Sequence, residues 1–198
     1  MTCIAGLAHE NQVWIGGDSA GVGGYDLRVR RDTKVFNINR RFLIGYTSSF
    51  RMGQLLRFGF HPPYQADGEG DYEYMCTSFI DAVRTRLKGG GYATVKDNAE
   101  SGGFFLVGYN GKLYDVQEDF QVGECLDGMD AAGCGESFAL GSLLETRDIP
   151  DPRKRILRAL KAAEYFSAGV QRPFVIRRLG EVKLLPKPPM ERPVKKGK

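Results

Sequence analysis

Three side chains near the start of the chain could do chemistry together: the hydroxyl of Thr2, the carboxylate of Asp18 and the amine of Lys34. A hydroxyl beside a cation is suited to nucleophilic attack on a carbonyl, and a carboxylate can hold that cation charged and oriented. Singly, none is informative. A Thr suits a strand, an Asp after Gly16-Gly17 suits a turn, and a Lys at a strand start is usually solvated. Spacing joins them: Asp18 follows Thr2 by sixteen residues, and Lys34 follows Asp18 by sixteen. Each falls at the edge of an expected strand. Neighbouring strands lie about 4.8 Å apart, so residues at matching strand ends can meet. A buried Lys34 needs a counter-charge, which Asp18 can supply.

The elements that position these groups are strands first. Residues 2–8 and 12–17 are short apolar runs around His9-Glu10-Asn11, a hairpin with a three-residue loop. Residues 34–38 and 41–46 form a second hairpin turning at Asn39-Arg40; the glycine-rich, then basic, stretch 21–32 between them is expected to be mostly loop. Helical spacing follows over 48–58, closed by Pro62-Pro63, and over 74–88, closed by Gly89-Gly90-Gly91. Strands return at 104–109 and 112–117 around Asn110-Gly111, the strongest short hairpin signal, and a further strand is expected at 120–125. Helices are expected over 135–146 and 152–166, the second with Asp151 as N-cap and Pro152 at its start. Strands at 174–179 and 181–185 complete the domain, 1–185, and a basic, proline-rich tail, 186–198, is expected to be disordered. Clustered rather than alternating strands and helices predict antiparallel sheets stacked together with helices outside.

Residues 2–6 (TCIAG), 15–19 (IGGDS), 33–36 (TKVF) and 43–46 (LIGY) resemble the opening of proteasome β subunits, closest in style to the peptidase HslV. Similarity resumes at 132–141 (AGCGESFALG) and continues weakly through 162–167 (AAEYFS). The resemblance implies an α+β, four-layer αββα sandwich, the N-terminal-nucleophile (Ntn) hydrolase fold, with two stacked antiparallel sheets. It implies a threonine endopeptidase acting on unfolded polypeptides. Thr2 becomes the nucleophile once Met1 is removed, its freed α-amine serves as general base, and Asp18 and Lys34 support it. The oxyanion donor, usually on a Gly in the family, falls on the Ser48 backbone N–H. The family's supporting Ser beside the nucleophile falls on Cys134, and its late Asp and Ser fall on Glu164 and Ser167. Gly21, Asp32, Phe36, Tyr46 and Phe50 would lie near the substrate pocket. There Asp32 would favour a basic residue and the aromatics an apolar one. Read from the residues alone, Phe36 and Tyr46 are equally well core.

The resemblance also implies a homo-oligomeric ring fed by an ATP-dependent unfoldase. No cofactor is expected. A structural sodium or potassium ion near the end of the last helix is allowed by analogy, and no carboxylate cluster in the sequence demands a metal. Competing readings are a silent scaffold subunit that keeps only the fold, and an Ntn amidohydrolase acting on a small amide. Cys3 cannot carry the free amine because Thr2 precedes it, and strand alternation turns it away from Thr2.

Bulk composition constrains little else. At 198 residues, 42% hydrophobic and 26% charged, the chain is ordinary globular material. Much of its +4 net charge lies in the basic end, read as a solvated terminus rather than a nucleic-acid site. Cys3, Cys76, Cys125 and Cys134 have no metal-ligand or Cys-x-x-Cys spacing. No signal peptide or membrane span is evident, and a reducing cytoplasmic setting is the expectation.

Overall fold

Paired residues in the left-handed backbone region make the main turns. Glu10 and Asn11 (φ 49° and 58°) and Asn110 and Gly111 (45° and 80°) each close a two-residue hairpin, and Asn39 and Arg40 (48° and 58°) begin a loop of three, since Ile38 pairs with Phe42. Such turns match the natural twist of the flanking strands. The computed structural model describes residues 1–97 and 99–181. It runs β1 (Ile4–His9), β2 (Gln12–Gly17), β3 (Ala20–Gly23), β4 (Asp26–Val29), β5 (Val35–Ile38), β6 (Phe42–Tyr46) and α1 (Phe50–Gly59). A second helical stretch joins α2 (Asp71–Tyr74), a π-helical turn (Met75–Phe79) and α3 (Ile80–Gly89). Then come β7 (Thr94–Lys96), β8 (Ala99–Ser101), β9 (Phe105–Tyr109), β10 (Lys112–Val116), β11 (Val122–Glu124) and β12 (Met129–Ala132). Helices α4 (Glu136–Glu145) and α5 (Pro152–Phe166) lead to β13 (Val175–Arg178).

One sheet has the order β12-β1-β2-β13 and another β11-β10-β9-β6-β5, every pair antiparallel; β3–β4 and β7–β8 are separate hairpins. Ile4, Val13, Ile15, Val35, Leu43, Leu106 and Leu113 pack between the two larger sheets. A Cβ on Gly6 would come within 2.9 Å of Leu113, and one on Gly45 within 2.6 Å of Ile15, so bare backbone sets how closely the sheets approach. The outer face of the four-stranded sheet, with Cys3, Ala5, Leu7 and Ala131, packs on Leu143, Ile156, Leu160 and Ala163 of α4 and α5. The five-stranded sheet, through Phe42, Ile44, Val107 and Tyr109, packs on Met52, Leu56, Phe79, Val83 and Leu87. Burial of these side chains contributes about 1.5–3 kcal/mol each before entropy is counted.

Several sequence expectations are corrected. The first hairpin has two loop residues, not three, because His9 stays in the ladder opposite Gln12. The stretch 21–32 is not mainly loop: β3 and β4 pair, turning at Gly24 (φ 59°), and the alternation Leu27, Val29 is the strand signal the glycines obscure. Ser48 is not helical; it takes φ 62°, and Ser49 is the cap of α1, its side chain accepting from the Arg51 N–H. That helix ends at Gly59, ahead of Pro62-Pro63. Strand β12 is not among the expected strands because Ala-rich MDAA has weak strand propensity; pairing with the edge of β1 forms it. The hairpin of β7 and β8 is likewise an addition. Glu181 is not in a strand, and the rest of the expected 181–185 strand and the 186–198 tail lie outside the described residues.

Candidate active site

Thr2 precedes β1, Asp18 follows β2 and Lys34 precedes β5, so three strand ends bring them to one place. The Lys34 Nζ donates to Thr2 Oγ at 2.6 Å and to Asp18 Oδ1 at 2.8 Å. All are buried, with Thr2 4% exposed and the Asp18 and Lys34 side chains 0% and 2%. Burial pushes the Lys34 amine below the ordinary lysine range, and the Asp18 charge and hydrogen bond oppose that push. Asp18 is itself fixed by backbone donors: Cys3 N–H reaches Oδ1 at 3.1 Å, and Ala20 N–H and Gln171 N–H reach Oδ2 at 2.8 and 3.3 Å.

Met1 lies over this centre, 59% exposed, and its carbonyl accepts the Thr2 hydroxyl proton. The Thr2 amide N–H donates to Cys134 Sγ at 3.3 Å, the Cys134 thiol reaches Thr2 O at 3.4 Å, and the Ser167 hydroxyl donates to Cys134 Sγ at 3.2 Å. Cys134 and Ser167 are therefore brought together beside Thr2. Glu164 does not join them. It is taken by Arg172, whose backbone N–H and guanidinium bind the carboxylate and hold it below the usual range. Cys3 faces α4 and α5, and burial pushes its thiol well up from the ordinary range, which keeps it protonated and inert.

Ser48 lines the same small cleft as Thr2, Lys34, Thr47 and Phe50. Its Oγ accepts from the Phe104 N–H at 3.0 Å, while its own N–H has no protein acceptor among the described residues. The positive φ explains why Gly suits this position and Ser is strained there.

The expected pocket divides. Gly21 and Phe50 line a cleft beside Thr2. Asp32 does not present a free charge: Arg30 Nε and Nη2 grip its carboxylate at 2.8 and 2.7 Å, holding the acid below and the guanidinium above their ordinary ranges. Phe36 is core, 4% exposed, and touches a different surface cleft near Arg57. Tyr46 is core too, at 3%, with burial pushing its phenol up to about 12, yet its edge reaches the Thr2 cleft.

Sequence reasoning missed Gly133. At φ 98° it passes so close to Thr2 that a Cβ would fall 2.3 Å from the Thr2 carbonyl oxygen. Only its place between Ala132 and Cys134 hinted at this. The backbone donors to Asp18 were also missed, since an N–H leaves no sequence signature.

No protein-family model matches the chain, and no curated protein sequence does. Solved structures do. Thiobacillus denitrificans BPH in complex with epoxomicin superimposes with a TM-score of 0.75 at 18% identity, over 93% of this chain and 100% of that one. Eukaryotic HslV from Trypanosoma brucei gives 0.64 at 16%, over 89% and 98%. Anbu (ancestral beta-subunit) from Yersinia bercovieri gives 0.61 at 11%, over 90% and 81%. At these identities the likeness is one of fold, and the chain has the fold of these proteins. Among the described residues no helix is long and apolar enough to cross a membrane.

Proposed function

We propose, on the premise of this shared fold, that the chain is a threonine peptidase of the proteasome/HslV type, an Ntn hydrolase of four-layer αββα build. The observation that carries the reading is the buried relay in which Lys34 Nζ sits 2.6 Å from Thr2 Oγ and 2.8 Å from Asp18. A lysine taken out of water this fully is costly without a use for its charge.

Loss of Met1 frees the Thr2 α-amine and releases its hydroxyl from the Met1 carbonyl. An α-amine has an ordinary pKa of roughly 7.7–8.0, so at neutral pH a useful fraction is a base. It takes the Oγ proton, directly or through water, while Oγ attacks the peptide carbonyl. Lys34 stabilises the developing alkoxide, and Asp18 keeps Lys34 charged. The Ser48 N–H donates to the oxyanion. Protonated amine then delivers its proton to the leaving nitrogen, leaving an ester on Thr2 Oγ. Water adds to the ester by the reverse proton path and regenerates Thr2. Cys134 and Ser167 orient the amine. The sulfur is a weaker partner than the hydroxyl it replaces in the resemblance. The fuller proposal is a cytoplasmic homo-oligomeric ring that receives unfolded polypeptide from an ATP-dependent unfoldase.

The test is an intact mass with and without a peptidyl epoxyketone, a warhead that needs both a free amine and a neighbouring hydroxyl. Loss of Met1 with one adduct per chain is expected. A Met1-free protein that never forms the adduct overturns the reading. A second reading is a silent scaffold that keeps only the fold: were Met1 retained, the Thr2 nitrogen would stay an amide and its hydroxyl would stay engaged by Met1. Retained Met1 in the mature protein would support it.

A further inference from the structure

Beside Thr2 lies a cleft of about 330 Å³ lined by Gly21, Val22, Asp26, Arg28, Arg30 and Phe50 among others. Val22 and Phe50 line the Thr2 cleft too, so the two are continuous. The hairpin of β3 and β4 forms the wall. Asp26, Arg28 and Arg30 alternate along it and share a face. Arg30 is fully committed: it grips Asp32, and its guanidinium stacks 3.9 Å over the Phe50 ring. Gly21 makes room for it, since a Cβ there would meet Arg30 Cδ at 2.6 Å. Among the described residues Arg28 and Asp26 have no ion-pair partner. They are the uncompensated charges of the wall.

Register orders those charges. Arg28 lies opposite Gly21, and Asp26 opposite Gly23 at the hairpin turn. The chain enters β3 from Asp18, and Arg30 N–H holds the hairpin base to Ser19 O at 2.8 Å. Arg28 is therefore the free charge nearer Thr2, and Asp26 stands about 7 Å farther out.

We infer that this cleft selects an acidic side chain close to the scissile bond, with Arg28 as the specificity determinant. The inference rests on the peptidase reading for the cut and on the hairpin charges for the selectivity. It replaces the basic preference expected from Asp32, whose charge Arg30 has already taken. The Asp26 carboxylate disfavours a second acid farther along.

The experiment uses the full chain after Met1 removal and peptides in which one position at a time, from three before to three after the cut, is Glu or its neutral isostere Gln. Binding is read by fluorescence anisotropy on a Thr2→Ala background, and kcat/KM on the unmodified protein. Expected is a Glu-over-Gln preference of roughly two- to fivefold at one or two adjacent positions, the range for an exposed charge pair. It should fall toward one at high salt. Arg28→Gln should erase the ratio, Arg28→Glu should invert it in favour of Gln, and Arg31→Gln, outside the cleft, should leave it intact. A ratio of one at every position, or a preference untouched by both Arg28 variants, overturns the inference. Absence of hydrolysis and of the epoxyketone adduct, with the binding preference present, overturns the peptidase reading alone.

Discussion

Replacing Asp18 by Asn removes the only carboxylate hydrogen-bonded to Lys34 among the described residues, while keeping the side chain's shape. The fold then has two options: keep an ammonium group that is 2% exposed without a counter-charge, or drive off its proton. Breaking a buried pair from one side typically costs about 3–5 kcal/mol. Deprotonation sets a ceiling of about 1.4 kcal/mol for each pH unit below lysine's ordinary pKa of about 10.4, hence about 4.6 kcal/mol at pH 7 and about 1.9 at pH 9. The sign follows from linkage. Burial already lowers the folded pKa of Lys34, so the unfolded chain binds more protons between that pKa and the ordinary one, and stability rises with pH across the window. Without Asp18 the folded pKa falls further and the window opens toward neutral pH. The Asp18→Asn protein should therefore be weaker than wild type by about 3–5 kcal/mol at pH 7, with the deficit shrinking as pH rises to 9. A remainder reflects the backbone donors Cys3, Ala20 and Gln171, which lose acceptor strength. Urea unfolding at both pH values is the assay. A deficit under about 1 kcal/mol at pH 7 would refute the picture of a buried lysine held charged by Asp18. So would a deficit that grows toward pH 9.

Other changes separate chemistry from scaffold. Thr2→Ala should abolish the epoxyketone adduct and peptide hydrolysis, with unfolding stability lowered by no more than about 3 kcal/mol for the lost charged hydrogen bond. Gly133→Ala should lose stability by at least about 2 kcal/mol, because φ 98° is unsuited to alanine and the new Cβ displaces Thr2. It should also lose adduct formation, read by mass spectrometry on the folded fraction. At Ser48, Gly should be tolerated within about 1 kcal/mol, since relief at φ 62° offsets the lost Oγ contact to Phe104. Val at the same position should cost about 2–3 kcal/mol in thermal unfolding, being β-branched in the left-handed region and unable to accept from Phe104.

Legibility in the sequence tracked how local the cause was. Asn110-Gly111 and Asn39-Arg40 declared their turns because their own backbone preferences make them. Helix α5 was readable to its ends because Asp151 and Pro152 start it and its apolar face is regular. The meeting of Thr2, Asp18 and Lys34 was readable because equal spacing returns the chain to matching strand ends, two in the four-stranded sheet and one in the five-stranded sheet stacked on it. What failed was decided at long range. MDAA becomes β12 only because β1 has an open edge beside it. Glu164 looked available on its helix, yet Arg172 past the end of that helix captures it. Asp32 is the local exception: it looked like a free acid, yet Arg30, only two residues before it, takes its charge.

The same distinction bears on Met1. Asp18 and Lys34 do not depend on Met1 for their placement: Asp18 is held by backbone from three parts of the chain, and Lys34 by Asp18, so that of the relay only the Thr2 hydroxyl bonds to Met1. Thr2 is held by Lys34, by Cys134 and by the tight passage of Gly133. Removal of one exposed residue can therefore convert an amide to an amine without rebuilding the site. The fold prepares a pocket for a charged lysine whether or not the nucleophile has been released. Stability and activity should consequently separate cleanly: chains with and without Met1 should unfold within about 1 kcal/mol of each other, while only the shorter one forms the epoxyketone adduct. A large stability difference between them would mean that Met1 is part of the framework, and would move weight to the scaffold reading.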